Sequence, residues 1–193
     1  MEVKALLSIL AILISFAGCC IYFRQIFWGN VRPHAFSWLI WFVLVSVAFA
    51  AQVAGGAGVG AWVLGFSSVA TLFFFLVALA KGDRHFVSAD WLFLLAAVAA
   101  LLLWWLTKDP TLSVVLITLT DAAGASLTIR KAYQKPQEES MTHFGLASFK
   151  SAISLFALES FSLATWLYPA SLVISNGLVV FTLLMRRKKS PRT

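Results

Sequence analysis

The chain has 193 residues, of which 61% are apolar and 12% charged, and its formal net charge is +7. Soluble domains carry about 25% charged residues, so this composition excludes a water-soluble enzyme or binding domain. The excess of positive charge does not imply nucleic acid as a partner, because it is confined to alternate connections between apolar segments.

A helix needs about 17–25 apolar residues to cross a bilayer. Seven runs of that order lie at 4–23, 36–54, 59–80, 90–107, 110–130, 142–166 and 169–185. The fold class is therefore an all-α integral membrane protein of seven transmembrane helices. The first run carries Lys4 as its sole early charge and lacks a small-residue cleavage site, so it reads as a retained helix rather than a leader. Cys19 and Cys20 are adjacent on that helix and cannot bridge each other; they read as small buried residues, with no metal-ligand spacing. Ser8, Ser15 and Cys19 form a small polar stripe on it.

The second run begins after His34 and presents Trp38, Trp41, Ala48 and Gln52 on one face. The glycine-rich stretch Gly55–Gly60 turns the chain into the third run, which contains Ser68. The fourth, Asp90 to Thr107, has no internal polar residue, and its Leu101–Trp105 segment suits a lipid-facing position. Pro110 opens the fifth helix, where a missing N–H costs nothing, and Pro169 is expected to open the seventh in the same way.

Asp121, near the middle of the fifth helix, is the most informative single residue. An ionisable group at that depth costs about 2.5–3.5 kcal/mol and usually faces a polar interior. With Thr118, Ala125 and Thr128 it forms one small, polar stripe. Two readings stand: Asp121 lines a cavity, or it makes a structural ion pair. Lys150 of the sixth run lies at a similar depth and is its natural partner, unless it snorkels to the headgroups. Glu159 falls on the opposite side of that helix from Lys150. It matches Gln52 as an outer gate, or the two simply hydrogen-bond neighbouring helices. Asn176 sits in the seventh run at midplane depth, with Ser68 as its counterpart.

The chain also repeats itself. Ser15-Phe-Ala-Gly18 leads to Arg24 six residues after the glycine, and about 106 residues later Asp121-Ala-Ala-Gly124 leads to Arg130 at the same distance. This gives a 3+1+3 parallel-repeat arrangement: residues 1–80 and 110–186 as two three-helix units, 81–109 as a linker helix, and 187–193 as a basic tail. Twelve basic residues (Arg24, Arg32, Lys81, Arg84, Arg130, Lys131, Lys135, Arg186, Arg187, Lys188, Lys189 and Arg192) fall on one side, against Lys4 and Lys108 on the other. By the positive-inside rule the N-terminus is outside and the C-terminus inside, with the tail against anionic lipid. The expected location is a bacterial inner (plasma) membrane.

The three-one-three plan resembles the PQ-loop and SWEET-like superfamily of small transporters and receptors. That family ends the first helix of each repeat with Pro-Gln; here Arg24-Gln25 keeps the Gln alone, and Arg130-Lys131 keeps neither. The resemblance implies a small-solute carrier in which helices one to three rock against helices five to seven. The site it implies is lined by Ser15, Trp41, Ser68, Asp121 and Asn176, with Phe144 and Phe149 where a second Trp pair stands in the family, and with Asp121 available for proton coupling. The alternative is a non-transporting receptor or structural membrane protein of the same topology. The expected partners are a small polar solute and the lipid bilayer, and a homo-oligomer is compatible with the pattern. There is no Walker loop, nucleophile elbow, HExxH or catalytic carboxylate pair, and the last helix lacks a retinal lysine. Catalysis, a cofactor and a metal are not expected.

Overall fold

The computed structural model describes residues 2–28, 33–84, 88–134, 136–137 and 139–189. Arg32, Lys135 and Arg192, which entered the charge reading, lie outside them. Seven α-helices account for most of the described chain: α1 (Glu2–Trp28), α2 (Ala35–Ala54), α3 (Trp62–Lys81), α4 (Ser88–Thr107), α5 (Pro110–Gln134), α6 (Met141–Ala157) and α7 (Leu163–Lys189). A single 3-10 turn, Gly58–Ala61, precedes α3. Five of the helices (α1, α2, α3 with its turn, α5 and α7) are long and apolar enough to cross a membrane, while α4 carries a shorter apolar segment. Large apolar side chains such as Leu13, Phe16, Trp62, Leu95 and Phe181 are exposed around the outside. That surface suits hydrocarbon rather than water, in a fold whose backbone polar groups are satisfied within helices.

Local chemistry sets the helix starts. His34 caps α2 by accepting from Ser37 N at 3.4 Å, and Ser140 caps α6 by accepting from His143 N at 3.2 Å. Pro110 begins α5, and Asp109 Oδ1 accepts from Thr111 N at 2.8 Å. That N–H holds the exposed Asp109 carboxyl below its ordinary range. Lys108, at φ 56°, reverses the chain after α4 and donates its N–H to Trp104 O.

The sixth helix stops at Ala157, well short of the end of its apolar run at 166. The reason is a cap that hydropathy does not register. Thr165 Oγ1 accepts from Ser162 N at 2.9 Å and donates to Ser160 O at 2.8 Å, which starts α7 at Leu163. Pro169 therefore lies inside α7 rather than opening it. A residue there normally donates to the carbonyl four positions earlier, Thr165 O. The buried Gln52 of α2 takes that vacant carbonyl with its Nε2 at 2.7 Å.

This coupling gives a first prediction. Gln52→Leu leaves Thr165 O without a donor and should cost about 1–3 kcal/mol, read as a lower Tm in detergent. Pro169→Ala restores the backbone N–H and should recover most of that loss in the double variant. A Pro169→Ala change that leaves the Gln52→Leu defect undiminished would refute the coupling.

The helices assemble as two sets. In the first, α3 packs against both α1 and α2; in the second, α7 packs against both α5 and α6. The sets meet where α1 contacts α6 and where α2 contacts α5 and α7, and α4 packs on α5 and α2. The main apolar core lies there, built from Leu44, Val47, Ala97, Ala100, Val114 and Ile117. Leu101, Leu102 and Trp105 of α4 point outward, while Ser113 Oγ ties α5 to Ala100 O at 2.7 Å.

Each end is fastened differently. At the end bearing the N-terminus, the α2–α3 turn docks onto the α6–α7 turn, with Glu159 N donating to Ala57 O at 3.0 Å. Lys4 Nζ donates to Leu158 O at 2.7 Å and Ser8 Oγ to Val59 O at 2.7 Å. Three glycines make the approach possible. A Cβ on Gly60 would lie 2.9 Å from the backbone of Ala157 and Leu158, one on Gly55 would lie 2.7 Å from Thr165 Cγ2, and Gly58 adopts φ +59° under the Glu159 carboxylate. At the opposite end, a short bridge joins His34 and Asp83, with Asp83 N donating to Pro33 O and Ala35 N to Asp83 O, both at 2.9 Å. Basic side chains bind backbone carbonyls there. Arg186 Nε donates to Tyr133 O at 3.0 Å and Arg187 to Pro136 O and Glu139 O at 2.9 and 2.6 Å. Lys131 pairs with Glu139 at 2.7 Å. Arg187, at the start of the proposed tail, is thus part of α7.

Candidate functional site

A cavity of about 430 Å³ lies among the helices, and all seven contribute to its wall. On α1 the lining residues are Ile14, Ser15, Gly18, Cys19 and Tyr22; on α5 they are Thr120, Asp121, Gly124, Ala125 and Thr128. Both sets follow the spacing of a single helix face, and the small residues Gly18, Cys19, Gly124 and Ala125 keep the space open. The second set is the first moved by 106 positions. The same shift relates Ser37, Trp38, Ile40, Trp41, Leu44 and Val45 of α2 to His143, Phe144, Leu146, Ala147, Lys150 and Ser151 of α6, all of them lining. For α3 and α7 the shift is 105: Ser67, Ala70, Thr71 and Phe74 correspond to Leu172, Ser175, Asn176 and Val179. Fifteen pairs of lining residues are therefore related by nearly one register.

The polar groups are few and specific. Lys150 Nζ donates to Ser67 Oγ at 2.6 Å and to Ser15 Oγ at 3.2 Å. Asp121 is 9% exposed and lines the same cavity. The ion pair expected between the two is not formed; equal depth fixes their height, but the α1–α6 contact turns Lys150 toward α1 and α3. Asn176 lines the wall and gives its Nδ2 to Leu172 O of its own helix at 2.7 Å. Trp41 lines it from the edge, and Trp38, buried, packs at a tilt against Tyr22 and Phe74 at ring separations of 5.3 and 4.8 Å. Phe144 also lines it, whereas Phe149 is exposed on the outside.

Other residues read from the sequence lie elsewhere: Ser8 bonds Val59 O at the N-terminal end, and Thr118 is buried outside the cavity lining. Ser68 faces Ser46, with their Oγ atoms 2.6 Å apart, and its neighbour Ser67 faces the cavity. Gln52 and Glu159 are both at the N-terminal end but serve different partners: Gln52 bonds Thr165 O, and Glu159 Oε1 accepts from Val59 N at 3.5 Å. Cys19 lines the cavity as a half-buried thiol, while Cys20 is exposed on the outer face rather than buried. Tyr22, His143 and Tyr168 line the site without having been singled out for it. The 106-residue shift would have found Tyr22 and His143, as partners of Thr128 and Ser37.

Along its length, the cavity runs from the level of Asp121, Lys150 and Tyr168 toward the first turns of α2 and α6, where Ser37 and His143 line it. No lining residue comes from the interlocked turns at the other end. Among the described residues no cluster of His, Cys, Asp and Glu has the geometry to hold a metal ion. No protein-family model, curated protein or solved structure matches this chain.

Proposed function

We propose that the protein is a small-solute membrane carrier, SWEET-like in plan, in which α1–α3 rock against α5–α7 around this cavity. The observation that carries the reading is the doubled lining. A cavity walled by paired positions from two helix triples, each with its third helix packed on the other two, is what a parallel repeat produces, and it suits alternating access by rocking of one repeat against the other. In this reading α4 links the repeats, the N-terminus is outside, and the basic end faces the cytoplasm. The interlocked glycine turns are the closed outer gate, so the conformation is inward-facing. Asp121 is the group through which protons couple to transport.

A second reading is a non-transporting receptor of the same topology. The density of contacts between the two turns favours it, because a gate that never opens is a structural joint. Counterflow into proteoliposomes preloaded with a panel of sugars, amino acids and small organic ions separates the two. Accelerated uptake of one solute class is expected; a solute that binds the purified protein yet shows no counterflow would favour the receptor.

A further inference from the structure

We infer that the cavity is built for a zwitterion with an apolar body, of the chemical class of the neutral amino acids. The inference rests on the reading of this cavity as the solute site. An ammonium has three N–H donors, and Lys150 directs two of them to Ser15 and Ser67. One donor is left for an anionic group. Asp121 is buried in the same wall, with no hydrogen bond or ion pair to another described residue. Buried opposite charges that share a cavity without meeting are each costly. One ligand relieves both only if it brings a carboxylate to Lys150 and an ammonium to Asp121. A neutral sugar leaves both unmatched, and a singly charged solute leaves one.

The rest of the wall specifies the body of the ligand. Tyr22, Trp38, Trp41, Phe74 and Phe93 present rings to the space, which favours an aliphatic or aromatic side chain over a polyhydroxylated one. At about 430 Å³ the cavity is within the range of small-molecule sites, though toward its lower end. The site thus combines two charged poles with an apolar middle.

The test uses the purified full chain in detergent and reads binding by calorimetry and by thermal shift. The probes are L-leucine, L-phenylalanine and leucyl-leucine, each beside its N-acetyl form (anion only) and its amide (cation only), with glucose as the neutral probe. At least one zwitterion is expected to bind, and each blocked form to bind about 10–100-fold more weakly, the loss of one charge-assisted contact. Asp121→Asn should erase the preference over the N-acetyl form, and Lys150→Gln the preference over the amide. The wild-type comparison stands even where a variant fails to fold. Blocked forms that bind as well as the parent, preferential binding of glucose, or no binding by any zwitterion would overturn the inference. Counterflow of glucose would overturn it while leaving the carrier reading intact. A zwitterion that binds without counterflow would do the reverse.

Discussion

Replacing Gly60 with leucine is expected to force apart the two turns that close the N-terminal end and to open the cavity on that side. The Cβ would meet the carbonyl carbon and oxygen of Ala157 and the Cα of Leu158, all at 2.9 Å. These are backbone atoms that cannot rotate away, and overpacking of this kind costs about 1–3 kcal/mol or more. Gly58 is a useful contrast. Its Cβ would run into the carboxylate end of Glu159, an exposed side chain that can swing aside, so Gly58→Ala should cost only the positive φ, roughly 1–2 kcal/mol. Cys19 lines the cavity and serves as the reporter in a Cys20→Ser background. In the parent it should react with an impermeant thiol reagent from the basic end alone, and in Gly60→Leu from both ends, with a lower Tm. Labelling that stays one-sided at full stability would mean that the turns are not the gate.

Asp121→Asn is expected to reduce counterflow at least tenfold and to flatten its dependence on pH. The amide keeps the shape but neither carries the charge nor exchanges a proton, so both the recognition of a cation and any coupling are removed together. Other titratable groups share the wall, namely Cys19 and Tyr22 on α1, His143 and Lys150 on α6, and Tyr168 on α7. His143→Gln is the informative control, because histidine is the group whose unperturbed titration falls nearest neutrality. The pH profile should survive that change and disappear in Asp121→Asn. A profile retained in Asp121→Asn and lost in His143→Gln would transfer the coupling role to His143.

Much of the site was legible because a helix face repeats at a fixed spacing. The small polar stripes Ser8, Ser15, Cys19 and Thr118, Asp121, Ala125, Thr128 could be read on each helix separately, and all of their members but Ser8 and Thr118 line the cavity. What failed was register across connections. Asn176 was set against Ser68, yet the lining shift between α3 and α7 makes Thr71 its counterpart, since the turn before α7 is shorter than the one before α3. Choosing between Ser67 and Ser68 needs the azimuth of α3 to within one step of about 100°, which only packing against α2 supplies. The same limit separates Asp121 from Lys150: their heights follow from counting residues, their directions from neighbours far away in the chain. Pro169 looked like a helix start because proline usually is one, and the hydroxyl cap at Ser162–Thr165 that displaced it leaves no mark in a hydropathy profile.

The bonds that close the N-terminal end have a consequence for biosynthesis. Gln52 reaches Thr165, 113 residues later, and Lys4 reaches Leu158, 154 residues later. Both donors leave the ribosome long before their acceptors exist. Until the last two helices are translated, the Gln52 amide sits in an apolar segment without its acceptor, while Lys4, in the first turn of α1, can reach the headgroups. A chain that ends before residue 157 lacks both acceptors and is expected to be less stable in the membrane than the full chain, read as faster degradation. Contacts of such long range also form late and slowly, so the N-terminal end is expected to be the last part of the fold to close.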